Sequence, residues 1–191
     1  MTNQQEYIIG ISGASGVIYS KKLFDALIEE GAKIHLVVSD EGKNILKYEL
    51  GLTCSYFNKN GVTLHDNYKL NDILASGSFR HKGMVIIPAS MGCIGRIASG
   101  ISTDLIVRAA DVALKEKFPL ICVPRETPYN VVHLKNMLTL SEAGAIILPA
   151  SPGFYHRPKS IDDISSFIVD RVLASLNVKK RFLSTWKPET N

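Results

Sequence analysis

The chain has 191 residues, and its composition of 46% hydrophobic and 21% charged residues is typical of one globular domain and excludes a disordered chain. The net charge of +4, without a long run of Lys or Arg, does not favour nucleic-acid binding. Three scattered cysteines, Cys54, Cys93 and Cys122, argue against a disulfide framework or a zinc site. No apolar run approaches the roughly 20 residues of a membrane span, and the N-terminus lacks signal-peptide features, so we expect a cytoplasmic protein.

Apolar and amphipathic segments alternate along the chain. The predicted buried strands are Tyr7–Ser12, Lys33–Ser39, Met84–Ala89, Leu120–Val123 and Ala145–Pro149. The predicted helices are approximately Val17–Glu30, Asp40–Leu50, Asp104–Lys117, Val131–Glu142 and Ile161–Leu176. The less regular segment 53–82 is interpreted as a long excursion with room for a short extra strand. This order predicts a single-domain, three-layer α/β/α fold with a Rossmann-like, doubly wound parallel sheet, in which ligands bind outside the carboxyl ends of the strands.

The first strand-to-helix junction, Ser12–Gly16 (SGASG), predicts an anion site at a helix start. Its glycines allow a tight turn and a close backbone approach, and a helix N-terminus attracts phosphate. The alternative is a structural turn in which Ser15 caps the helix. The glycine spacing matches neither GxGxxG nor a Walker loop, which disfavours a nicotinamide cofactor. At the second junction, Ser39 and Asp40 are equally consistent with ligand contact and helix capping.

The third and fourth junctions suit a flat, charged ligand. The small residues of Pro88–Cys93 let a ring system approach the backbone, although a structural turn is the alternative. Cys93 is expected to pack in the interior, because no base or cation beside it is evident. In Pro124–Pro128, two prolines hold Arg125 and Glu126 at a strand end, which favours ligand contact over a surface ion pair.

The last junction and the last helix supply further candidates. Tyr155 offers a phenolic hydroxyl to an anion, the alternative being a half-buried loop aromatic, and His156 is assigned no role. On a helical wheel, Arg171 falls between Phe167 and Ile164, within the predicted inner stripe. An inward arginine is rare unless it pairs with an anion, so we predict an anion site there.

Three charged helical residues remain open in the sequence. Arg108 and Lys115 lie two turns apart on one face, about 10 Å from each other. They form either a solvated face, the more common outcome, or one flank of a phosphate pocket shared between subunits. Glu49 is a helix-end carboxylate that is expected to be exposed.

Several segments together resemble the UbiX-type flavin prenyltransferases, which belong to the homo-oligomeric flavin-containing proteins related to cysteine decarboxylases. The segments are SGASG (12–16), VVSD (37–40), PASMGC (88–93), RAADVALKE (108–116), VPRETP (123–128), HLKNMLTLSEAGAIILPASPGFYHRP (133–158) and the closing helix. The similarity extends from about Tyr7 to Trp186. It implies a homo-dodecamer of Rossmann-like subunits with FMN at subunit boundaries and no metal. Residues 1–191 would form one flavin-binding domain, whose tail, about 178–191, covers the active site or a neighbouring subunit.

The resemblance also implies roles for individual residues. FMN would contact Gly13, Ala14, Ser15, Ser39, Ser90, Met91, Gly92, Cys93 and Arg125. The phosphate of dimethylallyl phosphate would bind Tyr155 and Arg171, helped by Arg108 and Lys115 from a neighbouring subunit, and Trp186 would lie near the prenyl group. Glu49 and Glu126 match acidic positions linked to proton handling and to the leaving phosphate, and Ser15 joins them as a catalytic residue.

The implied reaction joins a dimethylallyl group to reduced FMN at N5 and then C6. The product, prenylated FMN, would serve a UbiD-type decarboxylase in ubiquinone biosynthesis or aromatic-acid decarboxylation. One alternative is a flavin-dependent decarboxylase of an aromatic acid or a cysteine-containing substrate. The cysteine decarboxylases have Asn where Gly92 stands, which disfavours that substrate. The other alternative, a non-catalytic FMN-binding protein, leaves the predicted anion site at Arg171 without a purpose.

Overall fold

The computed structural model describes residues 4–183, in which a parallel sheet carries helices on both faces. The strands are β1 (Glu6–Ile11), β2 (Lys33–Val38), β3 (Val62–His65), β4 (Met84–Ala89), β5 (Leu120–Pro124) and β6 (Ile146–Ile147). The α-helices are α1 (Val17–Glu29), α2 (Asp40–Leu50), α3 (Met91–Ala98), α4 (Leu105–Lys115), α5 (Val131–Glu142) and α6 (Ile161–Ser175). Two short 3₁₀ helices span Cys54–Phe57 and Ile73–Ala75. The predicted α/β/α class is confirmed.

The strand order is β3-β2-β1-β4-β5-β6, and every neighbouring pair is parallel. The chain leaves β1 toward one edge of the sheet and leaves β4 toward the other. These two strands are neighbours, so their diverging connections open a crevice at their carboxyl ends, where ligands of such sheets bind. One buried core lies between the sheet and α1 with α6, and a second lies between the sheet and α3 with α4.

Two elements depart from the sequence prediction. Helix α3 is absent from it, because Gly92 and Gly95 occupy two of the eight helical positions and weaken both helix propensity and the apolar pattern. Ser90 nonetheless caps this helix, since its hydroxyl oxygen accepts a hydrogen bond from Cys93 N at 3.2 Å. The last strand, predicted over Ala145–Pro149, is only two residues long because it pairs with β5 alone at the sheet edge.

A row of titratable side chains crosses three strands near one edge of the sheet. His35 Nδ1 lies 2.9 Å from His65 Nε2, and His35 Nε2 lies 3.3 Å from a Glu6 carboxylate oxygen. His65 Nδ1 lies 2.9 Å from a carboxylate oxygen of Asp72. Burial lowers the pKa of His35, and it lowers that of the nearby His81 as well. The neutral form of His35 is therefore favoured by folding.

This cluster predicts that acidification destabilises the fold. An unfolded histidine binds its proton near pH 6.5, which is above the lowered pKa of His35 in the folded protein. The stability that neutral His35 contributes is therefore fully present above about pH 6.5 and is lost as the pH falls toward the folded pKa. His35→Gln is therefore expected to lose less unfolding free energy than the wild type between about pH 7 and pH 5. Urea titrations at both pH values measure this. An identical loss in the two proteins would contradict the prediction.

Candidate functional site

A crevice of about 470 Å³ lies at the carboxyl ends of β1 and β4, on the side of α3 and α4. It is lined by Ser12, Gly13, Ser39, Asp40, Glu41, Asn67, Tyr68, Ser90, Cys93, Arg96, Thr103, Asp104 and Ile106. Four of the predicted flavin contacts, Gly13, Ser39, Ser90 and Cys93, are thus in its wall. A cavity of about 520 Å³ lies near Tyr7 and Asn177, at the amino ends of the strands, where ligands of this architecture do not bind.

Ser12 joins the first and third junctions. Its buried hydroxyl donates a hydrogen bond to the carbonyl oxygen of Pro88 at 2.9 Å and accepts one from Ser90 N at 2.8 Å. The two loops that face each other across the crevice are therefore held at a fixed separation. The role of Ser12 is not evident from the sequence, because its partners lie 76 and 78 residues away in the chain.

The start of α1 differs from the alternative in which Ser15 caps the helix. The N-cap is Gly16, in a left-handed conformation with φ of 102°, and Ser15 is exposed. The Glu49 carboxylate takes the place of a cap, because it accepts hydrogen bonds from Gly16 N at 3.0 Å and Val17 N at 3.2 Å. Glu49 is exposed, as expected, but the helix start fixes its carboxylate beside Ser15. Nothing in the sequence signals this contact between residues 33 positions apart.

Ser39 and Ser90 both act as helix caps at the crevice. Ser39 Oγ accepts a hydrogen bond from Gly42 N at 3.0 Å, so the capping alternative is realised. A Cβ at Gly42 would lie 2.6 Å from the carbonyl oxygen of Ile11, which shows how closely α2 approaches β1. Cys93 is buried, and burial raises the pKa of its thiol to about 12. Its predicted role as a packing residue is confirmed.

The fourth junction approaches the first across the strand ends. Arg125 Nε donates a hydrogen bond to the carbonyl oxygen of Ser15 at 3.2 Å. Glu126 accepts a hydrogen bond from Thr127 N at 3.0 Å, and so turns back on its own loop. Arg125 and Glu126 do not pair with each other in the part of the chain that the structure describes. Both residues directly follow β5, at the same end of the sheet as Ser15 and Glu49.

A second cluster forms where the loop after β6 meets α6. The Phe167 ring stacks on His156 at 5.6 Å and meets the edge of Tyr155 at 5.7 Å. The Arg171 guanidinium carbon lies 5.5 Å from the centre of the same ring. Both ring nitrogens of His156 are buried without a hydrogen-bond partner within residues 4–183. A phenol, an imidazole and a guanidinium are thus gathered around one aromatic ring.

The prediction that Arg171 points inward is wrong, because its side chain is exposed. The wheel position between Phe167 and Ile164 holds, but that side of α6 is not the buried side. The buried residues are Ser165, Ser166, Ile168, Val169, Val172 and Leu173. Ile161, the first residue of α6, is also 70% exposed. Arg171 therefore lies beside Tyr155 at the surface, where an external anion has access to it.

The remaining predicted contacts are not brought to the crevice of one chain. Arg108 Nη1 pairs with Asp111 at 2.8 Å, and Lys115 pairs with Glu116 on the outer side of α4. The solvated-face alternative therefore describes them within a single chain. Trp186 lies outside the described residues. Within the range 4–183, no cluster of His, Cys, Asp and Glu has the arrangement of a metal site, and no helix is long and apolar enough to cross a membrane.

Comparisons with known proteins agree with this geometry. The flavoprotein family profile matches residues 1–173. A flavin prenyltransferase UbiX from Methanocaldococcus jannaschii is 42% identical, over 94% of this chain and 97% of its own length. The solved structure of AnUbiX (PadA1) in complex with FMN and dimethylallyl pyrophosphate has 34% identity and a TM-score of 0.91, over 97% of this chain and 100% of that one.

A dodecameric FMN-dependent UbiX-like decarboxylase from Escherichia coli O157:H7 has 34% identity and a TM-score of 0.90, over 96% of this chain and 100% of its own. Sequence identity and structural similarity thus both extend over nearly the whole of the chain and of its relatives. The chain therefore belongs to the flavoprotein family and, within it, to the UbiX flavin prenyltransferases.

Proposed function

We propose that this protein transfers a dimethylallyl group from dimethylallyl phosphate to N5 and C6 of reduced FMN. The proposal rests on two separate polar regions that lie at the carboxyl ends of the strands. One is the crevice between β1 and β4, and the other is the cluster of Tyr155 and Arg171. A protein that only stores FMN needs the first region and not the second.

The crevice fits a flavin mononucleotide. Small residues and helix starts line it. Gly92, near the start of α3, is exposed, and the nearest side-chain atom to the position that its Cβ would take is Arg96 Nη1, at 3.8 Å. When bound, reduced FMN supplies nucleophilic ring atoms for the new bonds. Ser12 joins the two junctions that contain these predicted contacts. Gly13, Ala14 and Ser15 follow Ser12 directly, and Ser90 through Cys93 follow β4. Arg125 and Ser39 complete the proposed flavin contacts.

The second region suits the leaving phosphate. Arg171 makes no ion pair within residues 4–183, so its charge is available to an incoming anion, and the exposed Tyr155 hydroxyl offers a donor beside it. Both groups stabilise the charge that develops on phosphate as its bond to the prenyl carbon breaks. Phe167, whose ring contacts Tyr155 and lies under Arg171, holds these two groups close to each other. In an assembly, Arg108 and Lys115 of a neighbouring subunit, together with Trp186, are proposed to complete this pocket.

Proton handling is assigned to the carboxylates near Ser15. Bond formation at N5 and ring closure at C6 would each displace a proton from the flavin, so the site would need groups that accept and return protons. Glu49, which is held by the backbone N–H groups of Gly16 and Val17, is proposed to accept or return a proton there, together with the nearby Ser15 hydroxyl. Glu126 is proposed to act nearer the leaving phosphate.

An assembly of several copies is part of the proposal, as is the fate of the product. Helix α5 exposes Val131, Val132, Leu134 and Leu138, each by more than half, which is typical of a surface covered by another subunit. We propose an assembly of twelve copies, because the relative from Escherichia coli O157:H7 is dodecameric. Prenylated FMN would then pass to a UbiD-type decarboxylase in the cytoplasm.

Anaerobic incubation with reduced FMN tests this function. With dimethylallyl phosphate, mass spectrometry is expected to find a flavin that is heavier by one isoprene unit. A parallel reaction with the pyrophosphate tests which donor is used, since the relative's complex contains the pyrophosphate. An unchanged flavin with both donors would refute the proposal. Release of carbon dioxide from an aromatic acid, with no partner protein present, would instead favour the decarboxylase.

A further inference from the structure

Arg96 extends into the flavin crevice from α3. It lies on the same side of the helix as Ser90 and Cys93, which also line the crevice. Its Nη2 donates a hydrogen bond to an Asp104 oxygen at 3.1 Å, and this is the one hydrogen bond of the guanidinium within residues 4–183. Its Nε is buried and has no acceptor there. Within residues 4–183 the Nη1 group has no acceptor either, so this end of the guanidinium can take one from a ligand.

The charges around the crevice give that acceptor a sign. Asp40, Glu41 and Asp104 bring carboxylates to its wall, whereas Arg96 is the only Lys or Arg among the described residues that line it. Asp40 is already paired with Lys43 at 2.8 Å and accepts a hydrogen bond from the Tyr68 hydroxyl at 2.7 Å. A phosphate entering this crevice would meet mostly negative charge, and Arg96 would be its one cationic contact.

The backbone at the start of α3 adds donors near the guanidinium. Cys93 N and Ile94 N are bonded to Ser90, whereas the N–H groups of Met91 and Gly92 have no acceptor in the described part of the chain. Arg96 Nη1 lies 3.8 Å from the position that a Cβ of Gly92 would occupy. The side chain therefore folds back along α3, toward the first turn, and its charge lies beside these free donors.

We propose that Arg96 binds the phosphate group of FMN and thereby makes the site prefer FMN to flavins that lack a phosphate. The inference rests on the proposed flavin site and adds a specificity residue to it. Asp104 holds the guanidinium at the crevice wall through Nη2, which leaves Nη1 for a phosphate oxygen. An arginine contact of this kind is charge-assisted and strong.

The contrasting explanation is that Arg96 only joins α3 to α4 through Asp104. Binding of FMN and of riboflavin, which is the same flavin without the phosphate, separates the two. Arg96→Ala is expected to raise the Kd of FMN roughly 10- to 100-fold and to change that of riboflavin less than about twofold. Arg96→Lys should recover part of the loss, because it keeps the charge. Arg80→Ala, an exposed arginine outside the crevice, is the control and should leave both constants unchanged.

Asp104→Asn provides a second test in the opposite direction. Asn keeps an oxygen for Val107 N, which Asp104 Oδ1 caps at 3.0 Å, and removes a negative charge from the crevice. FMN is then expected to bind more tightly, whereas a purely structural pair predicts weaker binding of both flavins. The inference fails if Arg96→Ala leaves the ratio of the two dissociation constants at its wild-type value. A wild type with the expected ratio but no prenyl transfer would refute the proposed function and leave this inference standing.

Discussion

Arg171→Ala is expected to lower the rate of prenyl transfer about 10²- to 10³-fold while the Kd of FMN changes less than about twofold. The guanidinium is exposed on α6 beside Phe167 and Tyr155, without an internal ion pair within residues 4–183. Its removal takes away the proposed main cation of the leaving phosphate, whereas none of the residues that line the flavin crevice is changed. Single-turnover product formation and flavin fluorescence titration measure the two effects.

Two further variants make the result specific to charge at that position. Arg171→Lys keeps a cation and should retain a measurable part of the rate, although it loses the planar donor geometry. Arg80→Ala removes an exposed arginine elsewhere and should react at the wild-type rate. If Arg171→Ala lost FMN as well, the second anion region would have been placed incorrectly, and the role proposed for Arg171 would be refuted.

Glu49→Gln is expected to slow formation of the cyclised flavin by about 10²-fold or more. Gln keeps an oxygen for Gly16 N and Val17 N, so the start of α1 should stay formed, but the side chain no longer accepts a proton. Glu49→Ala removes the acceptor too, and it should also lower the free energy of unfolding by about 1 kcal/mol. Rapid-quench product analysis and denaturant titration separate the chemical effect from the structural one.

The matched control is Glu142→Gln at the exposed end of α5, which removes a carboxylate far from the flavin crevice and should leave the rate unchanged. The proton-handling role of Glu49 is disproved if Glu49→Gln forms product as fast as the wild type. In that case its carboxylate would be no more than the cap of α1.

The sequence predicted most of the architecture because the signals for it are local. Buried parallel strands appear as continuous apolar runs, so Met84–Ala89 was obtained with both ends correct. Helices α2 and α5 were also predicted with the observed limits. Helix α3 was not predicted, because its two glycines interrupt the apolar periodicity on which such predictions depend.

The orientation of Arg171 shows the limit of a helical wheel. The helical wheel placed Arg171 correctly between Phe167 and Ile164. It cannot show which side of α6 faces the core, because apolar residues of this helix such as Ile161 are themselves exposed. Only the packing of α6 against α1, joined by the pair of Lys22 and Asp162 at 2.6 Å, settles that question. The guanidinium is accessible to a substrate, and its proposed role now depends on its position near Phe167 and Tyr155 and not on burial.

By itself, the sequence determined the fold class, the junctions that carry the site and the family resemblance, all of which are written in neighbouring residues. Only the tertiary structure decided that Glu49 binds the start of α1, that Ser12 joins two loops and that Arg96 faces the crevice. The first two contacts join residues 33 and 76 positions apart, and the third depends on how α3 lies against the sheet. Contacts of this kind arise from packing, because residues distant in the chain meet only once the strands are ordered and the helices cover them.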